Sequence, residues 1–212
     1  MSRPSRNQDQ LLLAAGRKLL PEAGISGLSV RRVAVTAGVN PGMFHYHFKT
    51  KRAFARKVLE DIYEEFFKGF SVESGGDAPP LERLRRALNA LGRFARDNRR
   101  LLVMLLHDVV AGDAEVAGFA RSNFPRHLRI ILGLFRECQA DGSLAKAPLP
   151  NCLAFLAAAT AAPAVALGLF QAAASRHPLG LATKLLEPPL ISDAAIAARV
   201  DWGLSALSKE AP

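Results

Sequence analysis

Along this chain apolar residues recur three and four apart, and no stretch alternates apolar and polar over strand length. Leu11, Leu12, Ala15, Leu19 and Leu20 make one apolar stripe, which predicts an amphipathic first helix over residues 7–23. Asn7 or Ser5 can cap its start, Asp9 lies in the first turn where the helix dipole favours an anion, and Gly24 ends it. After a loop over 24–28, Ser29 can cap a short helix over 30–36, with Val33 and Ala34 inward and Arg31 and Arg32 on or beside the outward face. Ala37, Gly38 and Val39 read as a tight turn, because glycine enters the left-handed region without steric cost. Asn40 and Pro41 open a third helix to about residue 48, and Thr50 caps a long fourth helix over 51–72.

The glycine- and proline-rich stretch 74–80 is the clearest break. Beyond it the spacing predicts helices at about 81–98, 99–111, 114–140, 151–175 and 193–208, with glycine and proline clusters at 141–150 and 177–189 between them. The expected fold is all-α, with no internal repeat.

Half of the 212 residues are hydrophobic and 22% are charged, enough to bury a core and too few polar tracts for disorder. Cys138 and Cys152 are too few and too scattered for a disulfide framework or a zinc site, so a reduced cytoplasmic chain is expected. The first ten residues lack the apolar run of a secretory signal. Residues 153–170 are uncharged and near the lower length limit for a membrane span, but they are rich in alanine and contain Pro163. A buried helix in a soluble bundle is the better reading, and a membrane-associated basic protein the alternative.

The net charge of +9 is unevenly spread. Residues 1–60 hold 11 Lys and Arg against 3 Asp and Glu, whereas residues 61–212 hold 17 against 16. The excess points to a polyanion met by the N-terminal segment, without distinguishing DNA from RNA or an anionic membrane.

Residues 29–51 carry most of the functional information. Two short helices joined by a glycine turn suit insertion of the second into a major groove while the first braces it. Gly42 allows close approach, Met43 is slim and flexible, and His45, Tyr46 and His47 project donors at the reach of phosphates or base edges. Phe44 and Phe48, four apart, are the expected core anchors. Lys49, Lys51 and Arg52 crowd a helix start, against the macrodipole. That arrangement fits a bound phosphate, or else an unoptimised surface.

This stretch resembles the DNA-binding domain of the TetR/AcrR family of regulators. The resemblance rests on Ser29-Val30-Arg31, Val33-Ala34, Ala37-Gly38-Val39, His47-Phe48 and Lys51, and covers about residues 8–60. One departure is His45, where that family often has Tyr. The resemblance implies a helix-turn-helix domain over 1–50, a connecting helix over 51–73 and a helical effector-binding and dimerisation domain over 74–212. It implies that Ser29, Arg31, Gly42, His45, Tyr46, His47 and Lys51 line the DNA surface. Arg31 and Met43 are then the residues expected to reach base edges.

The same resemblance implies a homodimer on a palindromic operator, formed by the helices expected at 151–175 and 193–208, and an unidentified small-molecule effector. Pocket candidates are Met104, His107, Phe119, Phe124, His127, Phe135, Phe155 and Phe170, though each aromatic taken singly reads better as ordinary core. His107 and Asp108 adjoin in a helix and so point about 100° apart, which makes a poor catalytic or metal pair. No nucleophile with its base, no phosphate loop, no metal set and no cofactor motif is found, so an enzyme is not expected. The expectation is a repressor. The remaining alternative is a DNA-binding protein of the same fold without small-molecule control.

Overall fold

The computed structural model describes residues 7–174 and 179–208, and among these every regular element is a helix. In order they are α1 (Gln8–Gly27), α2 (Val30–Ala37), α3 (Pro41–Phe48), α4 (Lys51–Glu73), α5 (Pro80–Asp97), α6 (Arg99–Val110), α7 (Ala114–Ala140), α8 (Leu149–Thr160), α9 (Ala162–Ala174), α10 (Leu179–Ile191) and α11 (Asp193–Ala206). Two compact units emerge. The first runs to Glu65 and takes in Met104–Ser122; the second comprises Phe66–Val103 and the chain from Asn123 onward. Helices α4, α6 and α7 contribute residues to both.

In the first unit α1, α2 and α3 pack on one another. Their apolar stripes supply the buried Leu12, Leu19, Leu20, Val33, Ala34 and Phe44, and Phe44 packs on the buried Phe54 of α4. The close approach needs Gly16, where a Cβ would lie 2.6 Å from Phe54 Cζ and Val58 Cγ2. As expected, Gly24 interrupts the helix, its φ of 64° and ψ of 177° being non-helical, and a short second segment with buried Ile25 follows to Gly27.

In the second unit α5, α7, α8 and α11 surround a core that includes Leu84, Leu88, Leu134, Phe135, Leu156 and Val200. Arg85 clamps α5 to α11 through Asp201 at 2.8 Å, and Arg83 clamps α5 to α7 through Glu137 at 3.1 Å.

Two expected boundaries are corrected here. The single helix expected over 151–175 is two, α8 and α9, bent by 50°. Proline is the cause: Pro163 has no N–H to donate to the carbonyl of Ala159, four residues back. That carbonyl accepts instead from Arg199 Nε of α11 at 2.9 Å. The break expected over 177–189 is mostly helix, α10, with Pro188 and Pro189 near its C-terminal end. Glu187 ties this helix down, accepting from Arg99 Nη2 at 3.0 Å and Gln171 Nε2 at 2.6 Å. The expected cap Ser5 and the expected boundary residues Ser175 and His177 lie outside the described residues. No single helix among those described is long and apolar enough to cross a membrane. The bent pair α8 and α9 passes by length and composition together.

Candidate nucleic-acid interface

Local caps build the two short helices. Ser29 Oγ accepts from the Arg32 N–H at 3.4 Å to start α2, and Gly38, at φ 67°, turns its N–H back to close it. Asn40 Oδ1 accepts from the Gly42 N–H at 2.8 Å to start α3, with Pro41 at the first helical position. Phe44 is fully buried, its ring centroid 4.9 Å from that of Phe54, and Phe48 packs on Phe54 at the same distance. These contacts seat α3 on α4 by one face and leave the other outward.

The outward face carries Gly42, His45, Tyr46 and Lys49, all exposed, with Tyr46 at 71%. Ser29 and Arg31 are exposed at the start of α2. Arg32, beside them, is held by Glu22 at 3.2 Å. Met43 and His47 are half-buried, and His47 Nε2 is buried without a hydrogen-bond partner. A Cβ on Gly42 would press to 3.2 Å on the Asn40 Oδ1 that caps the helix, a reason for glycine independent of any ligand.

Lys51 has an engagement that its spacing did not reveal. Its Nζ donates to the Ser26 carbonyl, in the short segment that follows the break at Gly24, at 2.6 Å. The ammonium keeps two further donors. Also unsuspected from sequence is Lys49, the one non-glycine residue with positive φ among those described, at φ 57°.

The eight pocket candidates fall in both units. Met104, His107 and Phe119 belong to the first unit, and Phe124, His127, Phe135, Phe155 and Phe170 to the second. Met104 packs by its Cγ near Gly24, the His107 side chain is 81% exposed with Nδ1 3.3 Å from Asp108 Oδ1, and Phe119 meets Tyr63 edge-on. Phe135 is core. Phe155 and Phe170 are exposed on α8 and α9, at 45% and 65%. Around His127 aromatic rings assemble: Phe66, Phe70 and Phe124 lie edge-on to it with centroids 5.9–6.2 Å away. Burial there pushes the imidazole pKa down to about 4.

A cleft of about 300 Å³ lies elsewhere in the second unit, lined by Arg96, Asp97, Arg99, Glu187, Pro188, Ile191 and Ser192. Its charges are internally matched, Arg96 to Asp97 and Arg99 to Glu187. Among the described residues no three His, Cys, Asp or Glu side chains are placed to hold a metal ion. On α8 and α11, which pack together, Phe155 and Trp202 stand exposed, Trp202 at 70%.

Residues 12–58 match the sequence profile described as bacterial regulatory proteins, tetR family. The chain is 26% identical over 144 residues to the HTH-type transcriptional repressor KstR2 of Mycolicibacterium smegmatis, spanning 67% of this chain and 69% of that one. It is 30% identical over 83 residues to the HTH-type transcriptional repressor DhaR of Mycobacterium sp., spanning 39% of this chain and 42% of that one. Among solved structures it resembles a TetR family transcription regulator from Marinobacter aquaeolei with a TM-score of 0.65, at 16% identity and 98% coverage of both chains. It also resembles the transcriptional regulator FadR from Bacillus subtilis, solved in complex with stearoyl-CoA. That match has a TM-score of 0.64 at 14% identity, covering 87% of this chain and 98% of that one.

Proposed function

We propose that the chain, whose residues 12–58 match the tetR family of bacterial regulatory proteins, is a DNA-binding transcription regulator of that family that represses transcription from a palindromic operator and is released by a small-molecule effector. One observation carries the reading. A short helix, α3, is anchored by Phe44 on one face and offers Gly42, His45 and Tyr46 on the other, within residues 1–60, which hold 11 Lys and Arg against 3 Asp and Glu. A helix so seated suits a major groove, with Ser29, Arg31, Met43, His47 and Lys51 flanking it.

The functional division follows the same lines: residues 1–50 hold the DNA, 51–73 connect, and 74–212 receive the effector and a second copy of the chain. Dimerisation through α8 and α11 would set two copies of α3 against two half-sites related by a twofold axis. Repression is supported by the two repressors to which the chain is similar. Control by a ligand is supported by the related fold of FadR, solved with an acyl-CoA. The protein acts in the cytoplasm and is a regulator, not an enzyme.

Selection from a random duplex pool, followed by footprinting, tests the reading. The expected result is one inverted-repeat sequence bound far above competitor, with affinity falling steeply as salt rises. Absence of any preferred duplex at moderate ionic strength overturns it. A second reading, DNA binding without small-molecule control, is supported by the burial of Phe135 in the core of the second unit. A compound that raises the melting temperature of the protein and releases the operator decides for the first.

A further inference from the structure

The junction between α3 and α4 is held by an unusual backbone turn. Lys49 has φ 57° and ψ −52°, and the Thr50 N–H donates to the Phe48 carbonyl at 2.5 Å, closing a γ-turn about Lys49. In this form of the turn a residue bearing a side chain is strained, and such outliers persist where the surroundings over-determine them. Here both polar groups of Lys49 go to one residue. Its N–H donates to the His45 carbonyl at 3.2 Å, and its own carbonyl lies 3.4 Å from His45 Nδ1.

The second contact settles the chemistry of the imidazole. A carbonyl oxygen only accepts, so Nδ1 carries the hydrogen, and in the neutral ring Nε2 is then a bare acceptor. The buried Phe44 ring, edge-on with its centroid 5.6 Å away, fixes the plane of the imidazole. His45 is therefore a restrained ring on the outward face of α3, with its tautomer set by the backbone.

We infer that His45 is a specificity-determining residue that reads an exocyclic amino group in the major groove, with Lys49 as its positioning residue. This rests on the reading that α3 enters the groove. In that groove only adenine N6 and cytosine N4 offer hydrogen-bond donors, whereas thymine O4 and guanine O6 would set acceptor against acceptor. His45 thus selects adenine or cytosine on the contacted strand at one base pair in each half-site. Lys49 matters to that selection through its backbone, and its ammonium adds only charge.

The test uses the full chain at pH 8 on the operator obtained by selection. At one base pair per half-site, replacing adenine by purine, or cytosine by 2-pyrimidinone, removes only the amino group. The wild type should lose affinity about 10-fold there, the order one hydrogen bond supports, and His45→Ala should lose nothing further. Lys49→Val, whose β-branched side chain disfavours positive φ, should lose the same discrimination, with no added loss when combined with His45→Ala. Lys49→Gly should keep the discrimination while binding every sequence more weakly, as befits a lost charge.

Uniform weakening by His45→Ala at all positions would make His45 a phosphate contact and overturn the inference, as would intact discrimination in a folded Lys49→Val protein. If Lys49→Val does not fold, the pairing of His45→Ala with the amino-less bases decides alone. A wild type without any sequence preference would instead bring down the groove reading itself.

Discussion

Lys51 has a structural task in addition to any it performs on DNA. Its ammonium caps the end of α1 at Ser26 and leaves two donors for a phosphate. Lys51→Ala should lower stability by about 1 kcal/mol, as expected for a half-exposed charged hydrogen bond, and should also flatten the salt dependence of operator binding by about one phosphate. Denaturant titration and binding at several salt concentrations separate the two; an unchanged salt slope would leave only the cap. His127 offers a second residue-scale outcome. The folded protein withholds a proton from this ring until about pH 4, whereas an unfolded chain takes it near the ordinary 6.5. As pH falls from 6.5 towards 4 the unfolded state binds more protons, so stability drops, by about 3 kcal/mol from this group at most, and above 6.5 its contribution is constant. Urea midpoints at pH 7 and pH 4.5 should therefore differ less in His127→Leu than in the wild type.

At the scale of elements, the break between α8 and α9 depends on α11. Pro163 leaves the Ala159 carbonyl without its helical donor, and Arg199 supplies one at the cost of partial burial, which lowers its own pKa. Arg199→Ala should cost about 1–3 kcal/mol, the range for a buried acceptor left unpaired. In a Pro163→Ala background the restored N–H can reach the same carbonyl, so Arg199→Ala should cost measurably less. A double-mutant cycle by urea unfolding reads the difference, and additive losses would assign Arg199 another role. The continuous stretch 153–170 concealed this bend because an apolar run shows only that a segment is buried, whereas one missing donor decides whether it is straight.

For the whole molecule the decisive feature is the exposed aromatic pair Phe155 and Trp202 on packed helices of the second unit. A second copy of the chain is the proposed cover. Trp202→Glu should leave the helical content intact, since the side chain is 70% exposed in the protomer. Sedimentation should shift from dimer to monomer, and operator affinity should fall about 100-fold or more as bivalent binding is lost. A Trp202→Glu protein that still sediments as a dimer would place the interface elsewhere.

Sequence alone determined what is local. Periodic apolar stripes and the caps Ser29, Gly38 and Asn40 placed α2, α3 and α4, and with them the outward face of α3, because such signals act within one helical turn. Tertiary structure decided what depends on neighbours distant in the chain: the Lys51 bond to Ser26 and the Arg199 bond to Ala159. Helical spacing shows which face of a helix is buried but not which other helix covers it. The strained turn at Lys49 stayed hidden for a related reason, since packing on both sides held a backbone state that lysine does not favour by itself.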